Sequence, residues 1–557
     1  MCGINGLISK NKDLTFSPNL LKKMNDAIRH RGLDDEGYLI FSNSRVEIFY
    51  GEDTAELVIN ANNSYSPKAS ISESSHKCSL MLGHRRLSII DLSASGHQPM
   101  CNEDKLIWIV FNGEIYNYIE LRNELINFGY ILKSESDTEV IIKSYERWGF
   151  DCVNHFNGMW SFAIFDIKKM ILFLSRDRFG VKPLYYYNDS NYLAFSSEIK
   201  ALVQLPFIQK SINNKVAFEY LAFGWQSSSE ETFFKEIFEL EPSYNLILNL
   251  NTGHINKYKY FELNWNKSYC KFNENTFHEY SGVIKNKIIE AVDLRLRSDV
   301  PVGSCLSGGI DSSTIVCIIN FLISNKKIAQ VGPLQKVFTA SYPGNSLDES
   351  KWAKLVVDST QSSWFLTYPK KNEFLDDVEK LIYIQDYPFV SSSVYAQYRI
   401  MKLANENGIK VLIDGQGGDE LFAGYKAYYR ALYFELFRNK DLKQLVYEFN
   451  NLKYSPITLS EAIIGIAKNF GVKYIPNLFI QFAAKKYSNI YGLISNNLKN
   501  NFKDKLSCIK ERGFSSLNSM LYEYLVGINL KSLLRYEDRN SMAFSIEART
   551  PFADDIE

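Results

Sequence analysis

The chain has 557 residues, of which 46% are hydrophobic and 23% charged, so it exceeds the usual size of one domain and is not a disordered chain. Its 63 basic and 63 acidic residues cancel, which excludes a global positive field of the kind that attracts nucleic acid or an anionic membrane.

The cysteines and the start of the chain indicate the compartment. The eight cysteines are scattered, without CxxC pairs or the density of a secreted disulfide scaffold. The start has no basic region followed by an apolar run, and no stretch approaches the ~18 apolar residues of a membrane span. We therefore expect a cytoplasmic protein with no membrane and no nucleic-acid partner. The cysteines are Cys2, Cys78, Cys101, Cys152, Cys270, Cys305, Cys317 and Cys508.

The first half of the chain predicts an α+β domain of short strands joined by turns. Aromatic and β-branched residues predict strands at 107–111 and 159–166, among others. Helices are predicted at 118–128 and 137–148. Residues 52–79 are rich in Asn, Ser and Glu and show little periodicity, so we expect a surface insertion there.

From about residue 280 onward, predicted strands alternate with predicted helices. The segments VPVGSCL, VFTASY, WFLTY and KVLIDG are apolar and short, and each is separated from the next by a helical stretch. This alternation predicts a parallel, doubly wound α/β sheet. The polar stretch 264–275 is the best linker between the halves, and the chain after Tyr425 is mostly helical.

Position 2 holds a candidate nucleophile. If the initiator methionine is removed, Cys2 acquires a free α-amine beside its own thiol. An α-amine of pKa about 7.7 to 8.0 can take the thiol proton near neutral pH, so one residue supplies both nucleophile and base. A cysteine at position 2 by itself is also compatible with chance.

Further segments carry a family resemblance. MCGI, RHRGLDDEG, LGHRRLSIIDLS, FNGEIYNY, SDTEVI and NGMWSFAIFD, in this order, resemble the glutaminase domain of the N-terminal-nucleophile amidotransferases. The resemblance implies an αββα sandwich over residues 2–262 with Cys2 as the nucleophile. One departure is Leu33, which stands where the family's RGPD motif has proline; its loss loosens the loop without deleting a catalytic atom.

The same resemblance implies a glutamine site. Arg86 matches the arginine that clamps the α-carboxylate of glutamine, a role suited to a planar, permanently charged fork. Asn112 and Gly113 match the oxyanion hole. Glu114 and Asp137 match the acceptors of the substrate ammonium. Taken singly, these residues are also typical of a surface cation, a turn and solvated carboxylates, so their joint pattern is what favours the site.

A glycine-rich segment in the second half predicts an anion site. It follows an apolar strand and opens an apolar helix, so its N–H groups can hold a phosphate, and it lacks the Lys of a Walker A loop. It resembles the PP-loop of ATP pyrophosphatases, which implies cleavage of ATP to AMP and pyrophosphate and activation of a carboxylate as an acyl-adenylate. The predicted ATP-binding residues here are Leu306, Ser307, Gly308, Gly309, Asp311 and Ser312.

The segment DGQGGDE ends a later predicted strand. Asp414 and Gly415 would lie at the carboxyl edge of the sheet, where open α/β folds bind ligands. Asp311 and Asp419 could share Mg²⁺, which prefers carboxylates together with substrate phosphates. Each aspartate alone is also compatible with a helix cap. Gln416 stands where bacterial asparagine synthetases often have glutamate, which puts aspartate as the acceptor in question.

Other positions complete the resemblance. Ala340 and Ser341 match the strand end that lines the adenine pocket, mainly through backbone. Arg539, in the segment EDRNSMAF, matches the motif that brings a cation to the phosphates, although a structural salt bridge fits it almost as well. Family members continue with further helices beyond the position of Glu557, which leaves a truncated or divergent synthetase open.

These patterns together resemble the glutamine-hydrolysing asparagine synthetase family over nearly the whole chain. The resemblance implies a glutaminase domain at 2–262, an ATP-pyrophosphatase domain at 276–557, ammonia passing between them, ATP and Mg²⁺, and is compatible with a homodimer. Aspartate is the first choice of acceptor, and another carboxylate such as a sugar uronic acid in surface-polysaccharide synthesis is the second. A non-enzymatic glutamine- or ATP-binding sensor is the alternative of another class.

Overall fold

The computed structural model describes residues 2–11, 14–74, 77–226, 229–326, 328–389, 391–471, 494–502 and 516–553, so Cys508 lies outside the described part. The strands of the first half are β1 (Gly3–Ser9), β2 (Asp35–Ser42), β3 (Arg45–Tyr50), β4 (Ala69–Ser70), β5 (Leu80–Arg86), β6 (Met100–Cys101), β7 (Ile107–Ile115), β8 (Gly158–Asp166), β9 (Ile171–Arg176), β10 (Tyr185–Asn188), β11 (Tyr192–Ser196), β12 (Ile237–Glu239), β13 (Tyr244–Asn249) and β14 (Ile255–Lys259). Its helices are α1 (Pro18–Ala27), α2 (Glu56–Ile59), α3 (Tyr118–Asn127), α4 (Asp137–Trp148), α5 (Ile199–Leu202) and α6 (Asn214–Phe223).

Within the described residues, these strands form two sheets that face each other. One sheet has the order β12-β10-β11-β1-β5-β2-β3-β4, and the other has the order β14-β13-β9-β8-β7-β6. A core that includes Ile4, Leu82 and Val110 fills the space between them. A second core lies between the first sheet and α1, and a third between the other sheet and α3 and α4. This is the predicted αββα sandwich.

The sandwich explains why its central strands are apolar on both faces. In β8, every residue after Gly158 is buried, because one face meets the opposite sheet and the other meets helices.

The predicted insertion at 52–79 packs against the sandwich more closely than its polar composition indicates. Its β4 pairs with β3, and Val58 and Ile71 are buried. A few apolar anchors are enough to fix a polar segment to a sheet edge.

The second half contains a five-stranded sheet in which all neighbouring strands are parallel, in the order β17-β16-β15-β18-β19 within the described residues. Its strands are β15 (Val302–Cys305), β16 (Lys336–Ala340), β17 (Ser363–Thr367), β18 (Val411–Ile413) and β19 (Glu547–Arg549). Its first helices are α7 (Glu274–Arg295), α8 (Ile310–Asn325), α9 (Ser350–Thr360), α10 (Lys371–Gln385), α11 (Ser393–Glu406) and α12 (Gly418–Phe422).

The described part after Tyr425 is mostly helical, as predicted. These helices are α13 (Lys426–Arg438), α14 (Leu442–Asn450), α15 (Leu459–Gly471), Asn496–Asn501, Leu517–Val526 and Asn529–Met542. The polar stretch 264–273 carries no helix or strand, and α7 begins at Glu274. Among the described residues, no helix is both long enough and apolar enough to cross a membrane.

Candidate active sites

Cys2 lies directly before β1, where the two sheets of the sandwich meet. Its backbone N–H donates to Asn112 Oδ1 at 3.0 Å, and its Sγ lies 3.9 Å from the carbonyl oxygen of Leu87. The Asn112 amide nitrogen in turn donates to Ser161 Oγ at 3.3 Å. Burial raises the pKa of the Cys2 thiol, and the guanidinium of Arg86 is among the groups that lower it. Cys2 and Asn112 are therefore in contact, as the resemblance predicts.

Gly113 follows Asn112 on β7 at a point where the backbone of β8 comes very close. A Cβ atom at this position would lie 2.0 Å from the carbonyl oxygen of Met159, well inside van der Waals contact. Only glycine fits here without moving the β7–β8 pair. The close approach keeps the Gly113 peptide beside Asn112, where an oxyanion donor is needed.

Arg86 ends β5 and is held by the loop that follows. Its Nη1 donates to the carbonyl oxygen of Ser93 at 3.1 Å, and its Nη2 donates to the carbonyl oxygen of Asp91. Gly96 makes room for the guanidinium, since a Cβ there would lie 1.8 Å from Nη2. Backbone carbonyl oxygens thus hold the guanidinium of Arg86 in place near Cys2.

Two buried carboxyl groups complete the first site. Asp137 opens α4 and accepts a hydrogen bond from the Ile115 backbone N–H at 3.0 Å. Burial raises the pKa of Asp137 to about 7. Burial, Glu547 and Asp137 raise the pKa of Glu114 well above its ordinary value. Glu114 Oε2 is buried and has no hydrogen-bond partner among the residues that the structure describes. An ammonium group would satisfy both carboxylates.

The second site begins at the turn between β15 and α8. The Ser307 backbone N–H donates to Ser312 Oγ at 3.1 Å, and the Gly309 N–H donates to Ser307 Oγ at 3.1 Å. Gly308 has φ +98°, and a Cβ there would lie 2.5 Å from the Glu349 carbonyl oxygen, so the turn requires glycine. The loop is therefore held in a fixed shape at the start of a long helix.

A cavity of about 880 Å³ lies above this loop. It collects most of the predicted ATP-binding residues at the carboxyl edge of the sheet. Those that line it are Ser307, Gly309, Asp311, Ser312, Ala340, Asp414, Gly415, Gln416 and Asp419. Leu306 is instead buried in the core below, Gly308 lines a neighbouring apolar groove, and Ser341 is buried with its hydroxyl on Asp348.

Asp311 and Asp419 lie close together, as predicted. Burial, Asp419 and Glu420 raise the pKa of Asp311 to about 6. The carboxylate of Asp311 lies directly over Gly418, where an added Cβ would be 2.4 Å from its Cγ. Within the described ranges, no group of three or more His, Cys, Asp or Glu side chains is arranged to hold a metal ion. A cation here would thus depend on these two carboxylates and on ligands from the substrate.

Comparison with known proteins decides the family. A model of the glutamine amidotransferase domain matches residues 68–261, and a model of asparagine synthase matches residues 284–556. A protein of Methanocaldococcus jannaschii, provisionally named glutamine-hydrolysing asparagine synthetase 2, is 39% identical over 76% of this chain and 76% of its own length. The chain belongs to the glutamine-hydrolysing asparagine synthetase family.

Other relatives of this asparagine synthetase family member carry different names. Glutamine-hydrolysing asparagine synthetase 1 of Bacillus subtilis is 28% identical over 100% of this chain and 80% of its own. Amidase chyE of Penicillium rubens is 27% identical over 85% of this chain and 73% of its own. Similarity at this level does not fix the acceptor.

The structure does not bring Arg539 to the cavity of this family member, which corrects the sequence-based placement. The side chain is fully buried between the two halves, where its Nη1 lies 3.1 Å from Asp538 and 3.5 Å from Glu198. Its Nη2 lies 3.4 Å from Asp386. Three carboxylates hold the guanidinium away from the PP-loop. The structure therefore contains the structural salt bridge, which the sequence left as the other role of Arg539.

Two further groups were missed by sequence reasoning. Gln397 lines the cavity and donates from Nε2 to buried Glu537, with Asp414 Oδ2 at 3.5 Å. Arg549, on β19, reaches Glu114 of the first site. Nothing in a single sequence indicates which distant residue a buried arginine contacts.

Proposed function

We propose that this protein is a glutamine-dependent asparagine synthetase that amidates aspartate through a β-aspartyl adenylate. The observation that supports this most is that the residues proposed for two separate sites come together in one chain. Buried Cys2 contacts the Asn112 amide, and Asp311 and Asp419 line a separate cavity at the PP-loop. A binding protein for glutamine or ATP alone would need only one of them.

At the first site, Arg86 would hold the α-carboxylate of glutamine, and Glu114 and Asp137 its ammonium. The Cys2 thiolate would attack the amide carbon, with its own α-amine taking the thiol proton after removal of Met1. Asn112 and the Gly113 N–H would stabilise the oxyanion as the C–N bond breaks. Ammonia leaves, and water then hydrolyses the thioester to glutamate.

At the second site, the acceptor carboxylate would attack the α-phosphate of ATP, forming an acyl-adenylate and releasing pyrophosphate. Ammonia would then displace AMP from the acyl carbon to give the amide. The first turn of α8 would offer backbone N–H groups to the phosphates, because the N–H groups of Ser307 and Gly309 donate to serine hydroxyls within the loop. Asp311 and Asp419 would hold Mg²⁺, which neutralises phosphate charge when bound, and their hard oxygen donors fit that ion.

Each of the two proposed reactions takes place in one of the two domains. We propose boundaries at 2–262 and 276–557, because the helix- and strand-free stretch 264–273 separates the sandwich from α7. Ammonia made at Cys2 would pass between the domains, where it avoids protonation and loss in bulk water. We also propose a cytoplasmic location, which is supported by the scattered cysteines, free among the described residues, and by the small-molecule substrates. The homodimer stays a prediction.

A second acceptor class has its own support. Among the described residues that line the cavity there is no Lys, Arg or His, whereas Asp311, Glu349, Asp414 and Asp419 all contribute carboxylates. Besides the carboxylate that is amidated, aspartate would bring a second carboxylate close to these acidic side chains. A sugar uronic acid has only one, and its hydroxyls could bond Gln397 and the neutral Gln416 instead.

The acceptor is testable with the purified full chain. Pyrophosphate and AMP release from Mg-ATP would be measured with ammonia as nitrogen source, comparing aspartate with a panel of uronic acids. We expect release with aspartate and formation of asparagine. Release only with a uronic acid would replace aspartate by the second candidate, and no release with any carboxylate would favour a glutaminase or a sensor.

The two-site arrangement has a separate control. Cys2→Ala should abolish glutamine-dependent amide formation and preserve ammonia-dependent formation, because the thiol acts only in the first site. Asp311→Asn should do the reverse, with glutamine hydrolysis preserved and pyrophosphate release lost. Loss of both activities in Cys2→Ala would contradict two independent sites.

A further inference from the structure

Arg549 is one residue that contacts both sites. It lies at the end of β19, beside Ile413 of β18. Its carbonyl oxygen accepts a hydrogen bond from the backbone N–H of Asp414, which lines the PP-loop cavity, at 2.9 Å. Its guanidinium points the other way, into the first half of the chain, where Nη2 lies 3.9 Å from Glu114 Oε1.

The guanidinium of Arg549 is firmly held. Nε donates to Glu547 Oε1 at 2.6 Å, and Nη1 donates to the carbonyl oxygens of Arg295 and Arg297, both at 2.7 Å. The side chain is fully buried, with its Cζ 5.5 Å from the centre of the Tyr116 ring. These contacts leave little freedom, so Arg549 meets Glu114 in a fixed geometry.

The side of Arg549 that faces Glu114 is incompletely satisfied. Within the described residues, Arg549 Nη2 and Glu114 Oε2 are both buried and both lack a hydrogen-bond partner. A buried polar atom without a partner is costly and calls for an explanation, such as a catalytic role or a bound water or ion. Here the free oxygen belongs to the residue assigned to the ammonium of glutamine, so the pair is poised for a substrate.

We propose that Arg549 is a positioning residue of the glutaminase reaction, supplied by the synthetase half, that holds the Glu114 carboxyl group in place for the ammonium of glutamine. The glutamine site is then incomplete without β19. This inference rests on the proposed function, because it assigns a role to a residue that acts through Glu114.

The electrostatics around Glu114 supports this role. Burial raises the pKa of Glu114, and so do Glu547 from β19 and Asp137 from α4. Arg549 and the amino terminus of the chain lower it. Removing the arginine charge would leave Glu114 among like charges and desolvated, and the carboxyl group would be protonated over a wider pH range. A neutral Glu114 binds an ammonium poorly.

The test compares Arg549→Gln, which removes the charge, with Arg549→Lys, which keeps it. Each glutaminase rate is divided by the ammonia-dependent rate of the same preparation, so that misfolded protein cancels. We expect Arg549→Gln to raise KM for glutamine roughly tenfold to hundredfold, the size of one charged hydrogen bond. The acidic limb of kcat/KM should move to higher pH by about one unit, because Arg549 lowers the pKa of both Glu114 and Asp137. Arg549→Lys should recover part of both effects.

Arg297→Gln is the matched control. Arg297 also joins the two halves, donating to the Tyr116 carbonyl oxygen at 2.6 Å and to Glu120 at 2.7 Å, but it does not pair with Glu114. It should leave KM for glutamine and the pH profile unchanged. A wild-type pH profile in Arg549→Gln, or equal defects in the Lys and Gln variants, would overturn the inference. A wild-type chain that hydrolyses no glutamine would instead overturn the proposed function, and this inference with it.

Discussion

Asp137 shows how one buried carboxyl group sets a pH dependence. Its pKa is raised to about 7 by burial, so the group is neutral below that pH and charged above it. Only the charged form attracts the ammonium of glutamine. We therefore expect kcat/KM for glutamine to fall as the pH is lowered through about 7, which a profile of glutaminase activity between pH 5.5 and 9 would measure.

Asp137→Asn should lower kcat/KM roughly tenfold to hundredfold at high pH, because a charged hydrogen bond is lost, and should flatten the limb near 7. Glu139→Gln is a suitable control. Glu139 lies in the same helical turn but accepts from the backbone N–H groups of Lys133, at 2.9 Å, and Ser134, at 2.7 Å. The Glu139→Gln variant should retain the fall of kcat/KM near pH 7. If Asp137→Asn retained the acidic limb of kcat/KM, the ionisation of Asp137 would not be its cause.

Single residues were predictable where a short motif carries them. Asn112 and Gly113 lie together in FNGE, and the structure places Asn112 against Cys2. The setting of Glu114 was not predictable, because its pKa depends on Glu547 and Arg549 from the far end of the chain. Local sequence determines side-chain type, whereas a buried charge is governed by whatever tertiary contact surrounds it.

At the scale of an element, the turn from β18 into α12 also depends on a tertiary contact. A Cβ at Gly418 would lie 2.4 Å from Cγ and 2.5 Å from Oδ2 of Asp311. Gly418→Ala should therefore push the Asp311 carboxylate aside. Because misplacement by about 1 Å costs on the order of a hundredfold in rate, we expect ammonia-dependent pyrophosphate release to fall by that factor. Glutamine hydrolysis should persist.

Gly282→Ala provides the comparison within a helix. Gly282 lies in α7, and a Cβ there would meet nothing within 4 Å. Alanine should therefore leave both activities unchanged and stabilise the protein by about 0.5–1 kcal/mol, because glycine costs conformational entropy in a helix. Pyrophosphate release and thermal unfolding would be measured for both variants. Equal activity of the two would show that the Gly418 contact does not constrain Asp311.

Element prediction succeeded for long periodic segments and failed for β19. The predicted helix at 137–148 matches α4 as observed. Glu547–Arg549 was not predicted as a strand, because two of its three residues are charged and such residues are not typical of a buried strand. The two charged side chains pair with each other at 2.6 Å, which offsets part of the cost of burying them.

At the scale of the whole molecule, the polar stretch near 264–275 was visible in the sequence, but the contact between the halves was not. That contact is built from buried charges. Arg31 of the first half donates to Asp538 of the second half at 2.7 Å, and Arg539 of the second half lies 3.5 Å from Glu198 of the first. The apolar patterns that reveal secondary structure do not indicate such pairs, because charged residues are normally assigned to the surface.

The Arg31–Asp538 pair provides a test of this interface. Arg31 Nη1 and Nη2 donate to the two Asp538 oxygens at 2.7 and 2.9 Å, and both side chains are almost completely buried. Asp538→Asn would leave Arg31 and Arg539 to share Glu198 and Asp386, with part of their buried positive charge uncompensated. We expect the free energy of unfolding in urea to fall by about 3–5 kcal/mol, as for other broken buried pairs.

Lys410→Gln is the matched change in an exposed pair between the same halves. Lys410 Nζ lies 2.9 Å from Asp34, and the two side chains are 39% and 30% exposed. Solvent screening limits such a pair to about 0–1 kcal/mol, so the unfolding midpoint should hardly move. If Asp538→Asn were as stable as Lys410→Gln, the buried charges would not hold the halves together. The fixed geometry between Arg549 and Glu114 would then need another source.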